Sequence, residues 1–277
     1  MGDGSVLSML DDDGVLTLTL NRPAVRNALD AETPRQLADL LCSASRSPPV
    51  KVVVLTGAGH AFCAGGDVKS MGSPDPRDPL AGEYSREPTW AETEATIDRL
   101  RRVTEAPLWL HRMGKPTIAM IRGPAAGAGL SLALACDFRF AAADAFLVTA
   151  FAKIGLSGDY GGSYFMTKLI GPSKTKELYM LGDRVTAEEA LRLGLVTRLT
   201  SEEALESDTY AFAHRLTKGP PVALRYIKEN VHAALDETIE RACDIEAHNM
   251  IRCRMTQDSR EAMSAFTEKR DPRFRGI

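Results

Sequence analysis

Residues 121–129 of this chain read Ile-Arg-Gly-Pro-Ala-Ala-Gly-Ala-Gly, and residues 156–162 read Leu-Ser-Gly-Asp-Tyr-Gly-Gly. Each of these small-residue turns is expected to open a helix. Because Gly and Ala have little or no side chain, such a turn lets a ligand approach the backbone, and the first N–H groups of a helix are free to bind it. This arrangement suits an oxygen atom that gains negative charge during a reaction. Gly-rich turns also serve close packing, so the turns alone do not establish a site.

The composition is that of a globular protein and gives no reason to expect nucleic acid or a membrane as its partner. The chain has 277 residues, of which 44% are apolar and 26% are charged, with a formal net charge of −3. This length can bury a substantial core, and the small negative charge gives no reason to expect nucleic acid or membrane as a partner. No apolar run reaches the roughly 18 residues of a membrane span, and no charged-then-apolar leader opens the chain. We therefore expect a soluble, cytoplasmic protein.

The cysteine pattern is not that of a disulfide framework or a zinc site. The five cysteines are Cys42, Cys63, Cys136, Cys243 and Cys253. Their number is odd and no two form a C-x-x-C pair, which favours a reducing compartment. Cys63 lies in a Gly-rich turn, yet none of the five histidines forms a recognisable pattern with it, so we expect a structural role.

Hydrophobic patterning predicts strand–helix units in the first part of the chain. Alternating apolar and Thr residues at 15–20 predict a strand, and the apolar runs at 52–55 and 117–121 predict buried strands. Each buried strand leads into a small-residue turn. The order of strand, helix, strand and turn is typical of a parallel α/β unit, and it occurs twice.

The remainder of the chain is mainly helical in pattern. Asp258 is expected to cap one of its helices, because a Glu follows three residues later. Earlier in the chain, the proline-rich segment at 72–88 shows little periodicity and is expected to be a surface loop beside the ligand.

Several short motifs occur in the order found in one family of enzymes. They are Asn21-Arg22-Pro23 through Asn27-Ala28-Leu29, Phe62-Cys63-Ala64-Gly65-Gly66-Asp67, Lys115-Pro116-Thr117, the segment from Gly123 to Asp137, and Phe266-Thr267-Glu268-Lys269-Arg270. In these motifs the chain resembles the crotonase superfamily, the enoyl-CoA hydratases and isomerases, over nearly its whole length.

The resemblance carries expectations about architecture, substrate and assembly. It implies an α/β fold, with a spiral of ββα units and the CoA-binding and oxyanion turns in residues 1–200. It implies a C-terminal helical trimerisation segment in residues 201–277. It further implies an acyl-CoA thioester as substrate, a homotrimer or hexamer, and no metal or redox cofactor, since CoA is part of the substrate.

The resemblance also assigns roles to individual residues. The backbone N–H groups of Gly66 and Ala128 are expected to form an oxyanion hole, with a neighbour of Ala128 as the alternative second donor; removing one such donor typically costs about 10²–10³ in rate. Tyr160 is expected to line the acyl pocket or donate a hydrogen bond. The implied CoA-binding residues, the last two acting from an adjacent subunit, are Arg26, Ala28, Leu29, Ala64, Gly65, Asp67, Phe266 and Lys269.

The acidic residues distinguish between the reactions of the family. Hydratases of the family use two glutamates, and Ser131 and Phe151 occupy those positions here. Ser131 is expected to fill space in its helix, with the holding of a water molecule as the alternative. Asp159 occupies the position where some isomerases of the family, among them the ring-epoxide isomerase of phenylacetyl-CoA breakdown, carry a single aspartate. One carboxylate that takes a proton from one carbon and returns it to another is sufficient for double-bond migration.

The sequence therefore favours isomerisation with Asp159 as the single acid–base group, although the residue has a second interpretation. Its position beside a helix start would lower its pKa and burial would raise it, and the carboxylate could instead cap that helix. Other reactions stay open at this point: hydration of an enoyl-CoA, acyl-CoA hydrolysis or dehalogenation, and a non-catalytic CoA-binding subunit.

Overall fold

The computed structural model describes residues 4–67 and 89–277, and two sheets organise this part of the chain. The predicted surface loop at 72–88 lies outside the described residues. The strands are β1 (Val6–Leu10), β2 (Val15–Leu20), β3 (Val52–Gly57), β4 (Thr117–Ile121), β5 (Pro124–Ala126), β6 (Phe138–Ala142), β7 (Phe146–Val148), β8 (Val185–Thr186) and β9 (Arg198–Thr200). The larger sheet has the order β1-β2-β3-β4-β6-β9, and the smaller has the order β5-β7-β8.

Helices connect and cover these strands. They are α1 (Thr33–Arg46), α2 (Trp90–Val103), α3 (Glu105–Arg112), α4 (Ala128–Ala135), α5 (Gly162–Ile170), α6 (Pro172–Leu181), α7 (Ala187–Leu193), α8 (Leu205–Thr217), α9 (Pro221–Asp236), α10 (Ile239–Arg254) and α11 (Gln257–Glu268). Among these described helices, none is long and apolar enough to span a bilayer.

The strands predicted from apolar runs are confirmed, and their register explains the runs. β2, β3, β4 and β6 pair in parallel, with Val15 opposite Val52 and Val53 opposite Thr117. Because helices cover both faces of a parallel sheet, its strands are apolar at consecutive positions. Residues 52–55 are accordingly without solvent exposure. β1 has no counterpart among the predicted elements; it pairs with β2 as an antiparallel hairpin at the edge of the sheet.

The helices after residue 200 begin with one that belongs to the core of the sheet. Leu205 and Ala213 of α8 are fully buried, in one cluster with Val52, Ile118 and Phe140. The later helices α9 to α11 present many exposed apolar side chains. The division of the chain at residue 200 stays a prediction.

The predicted cap at Asp258 is wrong. Thr256 caps α11, since its hydroxyl accepts the backbone N–H of Ser259 at 3.0 Å. Asp258 lies inside the first turn and is buried, and its carboxylate accepts the N–H groups of Arg275 and Gly276 instead. The carboxylate thus fixes the C-terminal tail, a long-range contact that local spacing does not reveal.

An ion pair with little solvent exposure attaches α9 to the main sheet. The Lys228 ammonium lies 2.9 Å from a carboxylate oxygen of Asp137, and the two side chains are only 11% and 16% exposed. A second ion pair on the same helix, between Lys168 and Asp236, has side chains that are 30% and 46% exposed. The two pairs therefore differ mainly in their solvation.

We expect Lys228→Ala to lower the free energy of unfolding by about 3 kcal/mol, because it leaves the Asp137 carboxylate without its cation in a place that water hardly reaches. Lys168→Ala is the matched control on the solvated pair and should cost less than about 1 kcal/mol. Urea denaturation of both variants at neutral pH measures the difference. Equal losses would contradict this interpretation.

Candidate active site

The two turns expected to form the oxyanion hole lie against each other. One follows β3 and contains Gly65; the other joins β5 to α4. The backbone N–H of Ala126 donates to the carbonyl of Cys63 at 2.9 Å, which links the two turns. A Cβ atom added to Gly65 would lie 2.9 Å from the Ala126 carbonyl oxygen and 3.6 Å from the Ala128 nitrogen. Gly65, with a φ of +90°, is therefore what allows this close approach.

Within residues 4–67 and 89–277, no backbone hydrogen bond uses the N–H of either expected donor, Gly66 or Ala128. The N–H of Leu29 donates to the Gly65 carbonyl at 2.8 Å, and the N–H of Asp67 donates to the Leu29 carbonyl at 2.9 Å. These bonds bracket Gly66 in a parallel bridge, so its own N–H points away from Leu29. Ala128 is the first residue of α4, where an N–H has no acceptor within its own helix.

Asp159 lies in the turn before α5, with its carboxylate turned into the protein. The residue at the start of this helix is Gly161, and no side chain caps it, so the capping interpretation of Asp159 is wrong. Its Oδ1 is buried and has no hydrogen-bond partner among the described residues. Burial raises the pKa of Asp159 to about 6. An unsatisfied buried carboxylate oxygen and a pKa raised by burial together mark Asp159 as a candidate functional group.

Ser131 connects the Asp159 turn to α4, the helix that begins with the expected donor Ala128. Its hydroxyl lies 3.3 Å from the Gly127 carbonyl and 3.2 Å from the Asp159 carbonyl, and the residue is 1% exposed. The expectation that Ser131 only fills space is therefore wrong. The Tyr179 hydroxyl lies beside it: a Cβ atom added to Gly162 would be 2.2 Å from the Ser131 oxygen and 2.5 Å from that of Tyr179. Nothing in the pattern of α6 marked Tyr179 in advance.

Phe151 is the second residue that the resemblance sets at a hydratase glutamate position. Its ring is buried, stacks against Tyr179 at a centroid distance of 6.2 Å, and lies 3.7 Å from a Cβ atom placed on Gly127. The same ring is 3.6 Å from a Cβ atom placed on Gly158. The Phe151 ring thus lies between the turn that contains Gly127 and the turn that contains Gly158 and Asp159.

Cys63 and Tyr160 are buried next to these turns. The Cys63 thiol donates to the Asn27 carbonyl at 3.1 Å, and burial raises the pKa of this thiol to about 12. A thiolate nucleophile is therefore unfavourable, as the structural role expected for Cys63 requires. Burial also raises the pKa of the Tyr160 hydroxyl, so it stays protonated at neutral pH.

Hydrogen bonds bring most of the expected CoA-binding residues to one edge of the site, here called the lip, which consists of residues 26–29 and 64–67. Besides the bonds between Leu29 and the turn after β3, the N–H of Ala64 donates to the Arg26 carbonyl at 2.9 Å. Ala28 lies beside Leu29, buried, whereas Arg26 is exposed. Arg22, which sequence reasoning missed, lies 3.2 Å from the Asp67 carboxylate. Its place in the first of the quoted motifs was the available signal.

Phe266 and Lys269 lie at the end of α11. Phe266 is 87% exposed, and Lys269 ends the helix with a φ of 55°. In the described ranges no hydrogen bond or ion pair links either side chain to the turns above. Their expected role from an adjacent subunit stays a prediction. Those ranges also hold no cluster of three or more side chains suited to a metal ion.

Comparison with known proteins identifies the family. A family model described as enoyl-CoA hydratase/isomerase matches residues 11–276. This chain belongs to the enoyl-CoA hydratase/isomerase family. Members similar to it include the 1,2-epoxyphenylacetyl-CoA isomerase of Escherichia coli K12, 33% identical over 270 residues and 96% of both chains. The crotonyl-CoA hydratase of Syntrophomonas wolfei is 32% identical over 264 residues and 95% of both chains.

Solved structures of the family share the fold. An enoyl-CoA hydratase from Polaromonas sp. JS666 superposes with a TM-score of 0.85 at 32% identity, over 98% of this chain and 100% of that one. A Thermobifida fusca YX protein in complex with CoA superposes with a TM-score of 0.80 at 28% identity, over 90% and 92% of the two chains. The predicted crotonase family, its spiral α/β fold and the helical C-terminal part are confirmed. Because the family includes isomerases and hydratases, membership alone does not choose the reaction.

We expect Asp159→Asn to stabilise the protein at neutral pH. The pKa of Asp159 is about 6 in the folded protein against an ordinary 3.8, so the folded state binds this proton more tightly. The resulting stabilisation is complete below pH 3.8 and is lost as pH rises through about 6. The unfolding free energy of Asp159→Asn relative to wild type should therefore increase by about 2–3 kcal/mol between pH 4 and pH 7.

Denaturant unfolding at several pH values measures this difference. Asp144→Asn, which removes an exposed carboxylate on the surface, is the control for the loss of one negative charge. A pH-independent difference between wild type and Asp159→Asn would show that the carboxylate is solvated.

Proposed function

We propose that this enzyme moves a double bond in an enoyl-CoA thioester, with Asp159 as its single acid–base group. The backbone N–H groups of Gly66 and Ala128 would form the oxyanion hole. The observation that carries the proposal is the buried Asp159 carboxylate on the turn fastened to the oxyanion helix. Ser131 and Phe151, at the two positions of the hydratase glutamates, supply no second carboxylate.

The chemistry follows from the acidity of the carbon next to a thioester. The Asp159 carboxylate takes a proton from the α carbon of a 3-enoyl-CoA, and the electron pair of that C–H bond moves into the dienolate. Negative charge collects on the thioester oxygen, where two fixed N–H donors stabilise it without reorganising. Asp159 then returns the proton to the γ carbon, which yields the 2-enoyl-CoA. An acid–base group with a pKa near the working pH is effective in both directions.

The proposed substrate class is supported by the names of similar proteins and by the residues of the lip. The names of the similar E. coli and S. wolfei proteins specify CoA thioesters, and a structural neighbour was solved with CoA. We assign the CoA moiety to the lip that contains Arg26, where an exposed guanidinium suits phosphate. Tyr160 is assigned to the acyl pocket. The other residues assigned to CoA are Ala28, Leu29, Ala64, Gly65 and Asp67.

Assembly into a homotrimer or hexamer is part of the proposal. The last helices present exposed apolar side chains that a monomer would leave in water, including Ile239, Met250 and Met255 at 71%, 67% and 76% exposure. Phe266 and Lys269 would then reach the CoA of an adjacent subunit. We further propose a cytoplasmic location and a reaction without metal or redox cofactor, because proton transfer changes no oxidation state overall.

Hydration is the second candidate, since several similar proteins are named as hydratases. Adding water requires one group to activate the water and one to deliver the α proton, and Asp159 is a single carboxylate. Acyl-CoA hydrolysis or dehalogenation, with Asp159 attacking or activating water, and CoA binding without turnover are further outcomes that the same experiment separates.

We expect the wild-type protein to interconvert 3-enoyl-CoA and 2-enoyl-CoA in deuterated water, with little 3-hydroxyacyl-CoA. The isomer ratio and deuterium incorporation are read by mass spectrometry. Asp159→Asn should lower the rate by about 10²–10⁴, because the general base is lost. Rapid formation of 3-hydroxyacyl-CoA would establish hydration, free CoA would establish hydrolysis, and binding without exchange would establish a non-catalytic subunit.

Ala128→Pro tests the oxyanion hole through the backbone. Proline fits the first position of a helix but has no N–H, so the fold is retained while one donor is removed. The chain already begins α6 in this way, with Gly171 followed by Pro172. We expect kcat to fall by at least about 10². Ala128→Gly keeps the N–H and should retain most activity; equal losses in both variants would argue against Ala128 as a donor.

A further inference from the structure

We propose that Ser131 and Tyr179 are positioning residues, whose hydroxyl pair holds the Asp159 turn at a fixed distance from the oxyanion helix α4. The geometry of the pair stands by itself, whereas its catalytic meaning rests on the proposed function of Asp159.

Ser131 lies between two backbone segments that must keep their spacing. One neighbour is the carbonyl of Gly127, directly before the expected donor Ala128, at 3.3 Å from the hydroxyl oxygen. The other is the carbonyl of Asp159 at 3.2 Å. Because a hydroxyl has one proton for these two acceptors, Ser131 couples the turn that carries the acid to the turn that carries the donor.

Tyr179 completes the pair from α6. Its hydroxyl lies beside that of Ser131, since a Cβ atom added to Gly162 would be 2.5 Å from the Tyr179 oxygen and 2.2 Å from the Ser131 oxygen. Burial raises the pKa of Tyr179 to about 12, so its hydroxyl stays protonated at neutral pH. This contact limits the space in which the Ser131 side chain can turn away from the two carbonyls. Its ring stacks on Phe151, which limits its freedom to turn away.

Gly158 and Gly162, which lie on either side of Asp159, let the turn lie in close contact with Ser131 and Tyr179. A Cβ atom at Gly158 would lie 2.9 Å from the Tyr179 ring, and one at Gly162 would lie 2.2 Å from the Ser131 hydroxyl oxygen. The backbone on both sides of Asp159 is thus in contact with Ser131 or Tyr179. This contact keeps the carboxylate buried, and a larger side chain at position 131 has no room beside Gly162.

A consequence for Asp159 can be measured without any substrate. If the pair is removed, the turn gains freedom, water reaches the carboxylate, and its pKa falls towards the ordinary value. We expect the pKa of Asp159 to fall by about one unit or more in Ser131→Ala and by a smaller amount in Tyr179→Phe. The titration is followed by ¹³C NMR of the aspartate carboxyl carbons, with Asp159→Asn to assign the signal.

Thr209→Val is the matched control. Thr209 is also buried in a helix and donates its hydroxyl to a carbonyl four residues earlier, that of Leu205 at 2.7 Å, but it lies on α8. It should lose thermal stability to a similar extent and leave the Asp159 titration unchanged. Tyr179→Phe removes a single oxygen and keeps the test valid should Ser131→Ala not fold.

The kinetic outcome separates positioning from mere stability. With the enoyl-CoA that the wild type turns over, kcat should fall by about 10-fold to 10²-fold in Ser131→Ala, with little change in KM, because only the reacting geometry is altered. An unchanged Asp159 titration in both variants, or an equal shift in Thr209→Val, would overturn the proposal. The titration needs no turnover, so its result is independent of whether the enzyme isomerises, hydrates or hydrolyses its substrate.

Discussion

The contact between the turn after β3 and the start of α4 is the constraint on which the site depends. It is made by backbone atoms: the Ala126 N–H bonds to the Cys63 carbonyl, and Gly65 lies against the Ala128 nitrogen. A buried parallel strand positions each of the two turns, because β3 and β4 are neighbours in the sheet. The positions of two N–H groups therefore follow from the hydrogen-bond register of the core, and small residues are needed wherever the two segments touch.

The Asp159 side chain is held in place in a different and less robust way. A carboxylate inside the protein opposes folding, and the groups around Asp159 neither neutralise its charge nor satisfy its buried oxygen within the described part of the chain. The packing around Asp159 must offset the free-energy cost of burying its carboxylate. This packing includes the stacked rings of Phe151 and Tyr179 and the two carbonyls that share Ser131. Reactivity and local instability thus have the same physical origin at this residue.

Much of the fold could be predicted from the sequence, because apolar runs and small-residue turns are local signals. The strands at 52–55 and 117–121 and the helix that starts near Ala128 are of this kind. The surroundings of Asp159 could not be predicted, since its pKa depends on which of two opposing effects dominates in three dimensions. Ser131 and Tyr179 are 48 residues apart and meet only through packing. Asp258 was misinterpreted for the same reason, because its partners belong to the C-terminal tail.

The proposed oxyanion hole consists of main-chain atoms, and this has a consequence for how such a protein can change. Every amino acid except proline supplies a backbone N–H, so random substitution rarely abolishes these donors. The acid, in contrast, is a single side chain, and its neighbours at 131, 151 and 179 are replaceable one at a time. Mutational drift would therefore alter the fate of a thioester enolate much more readily than the capacity to form one. A lineage built on this scaffold can exchange one reaction for another while its shared intermediate persists.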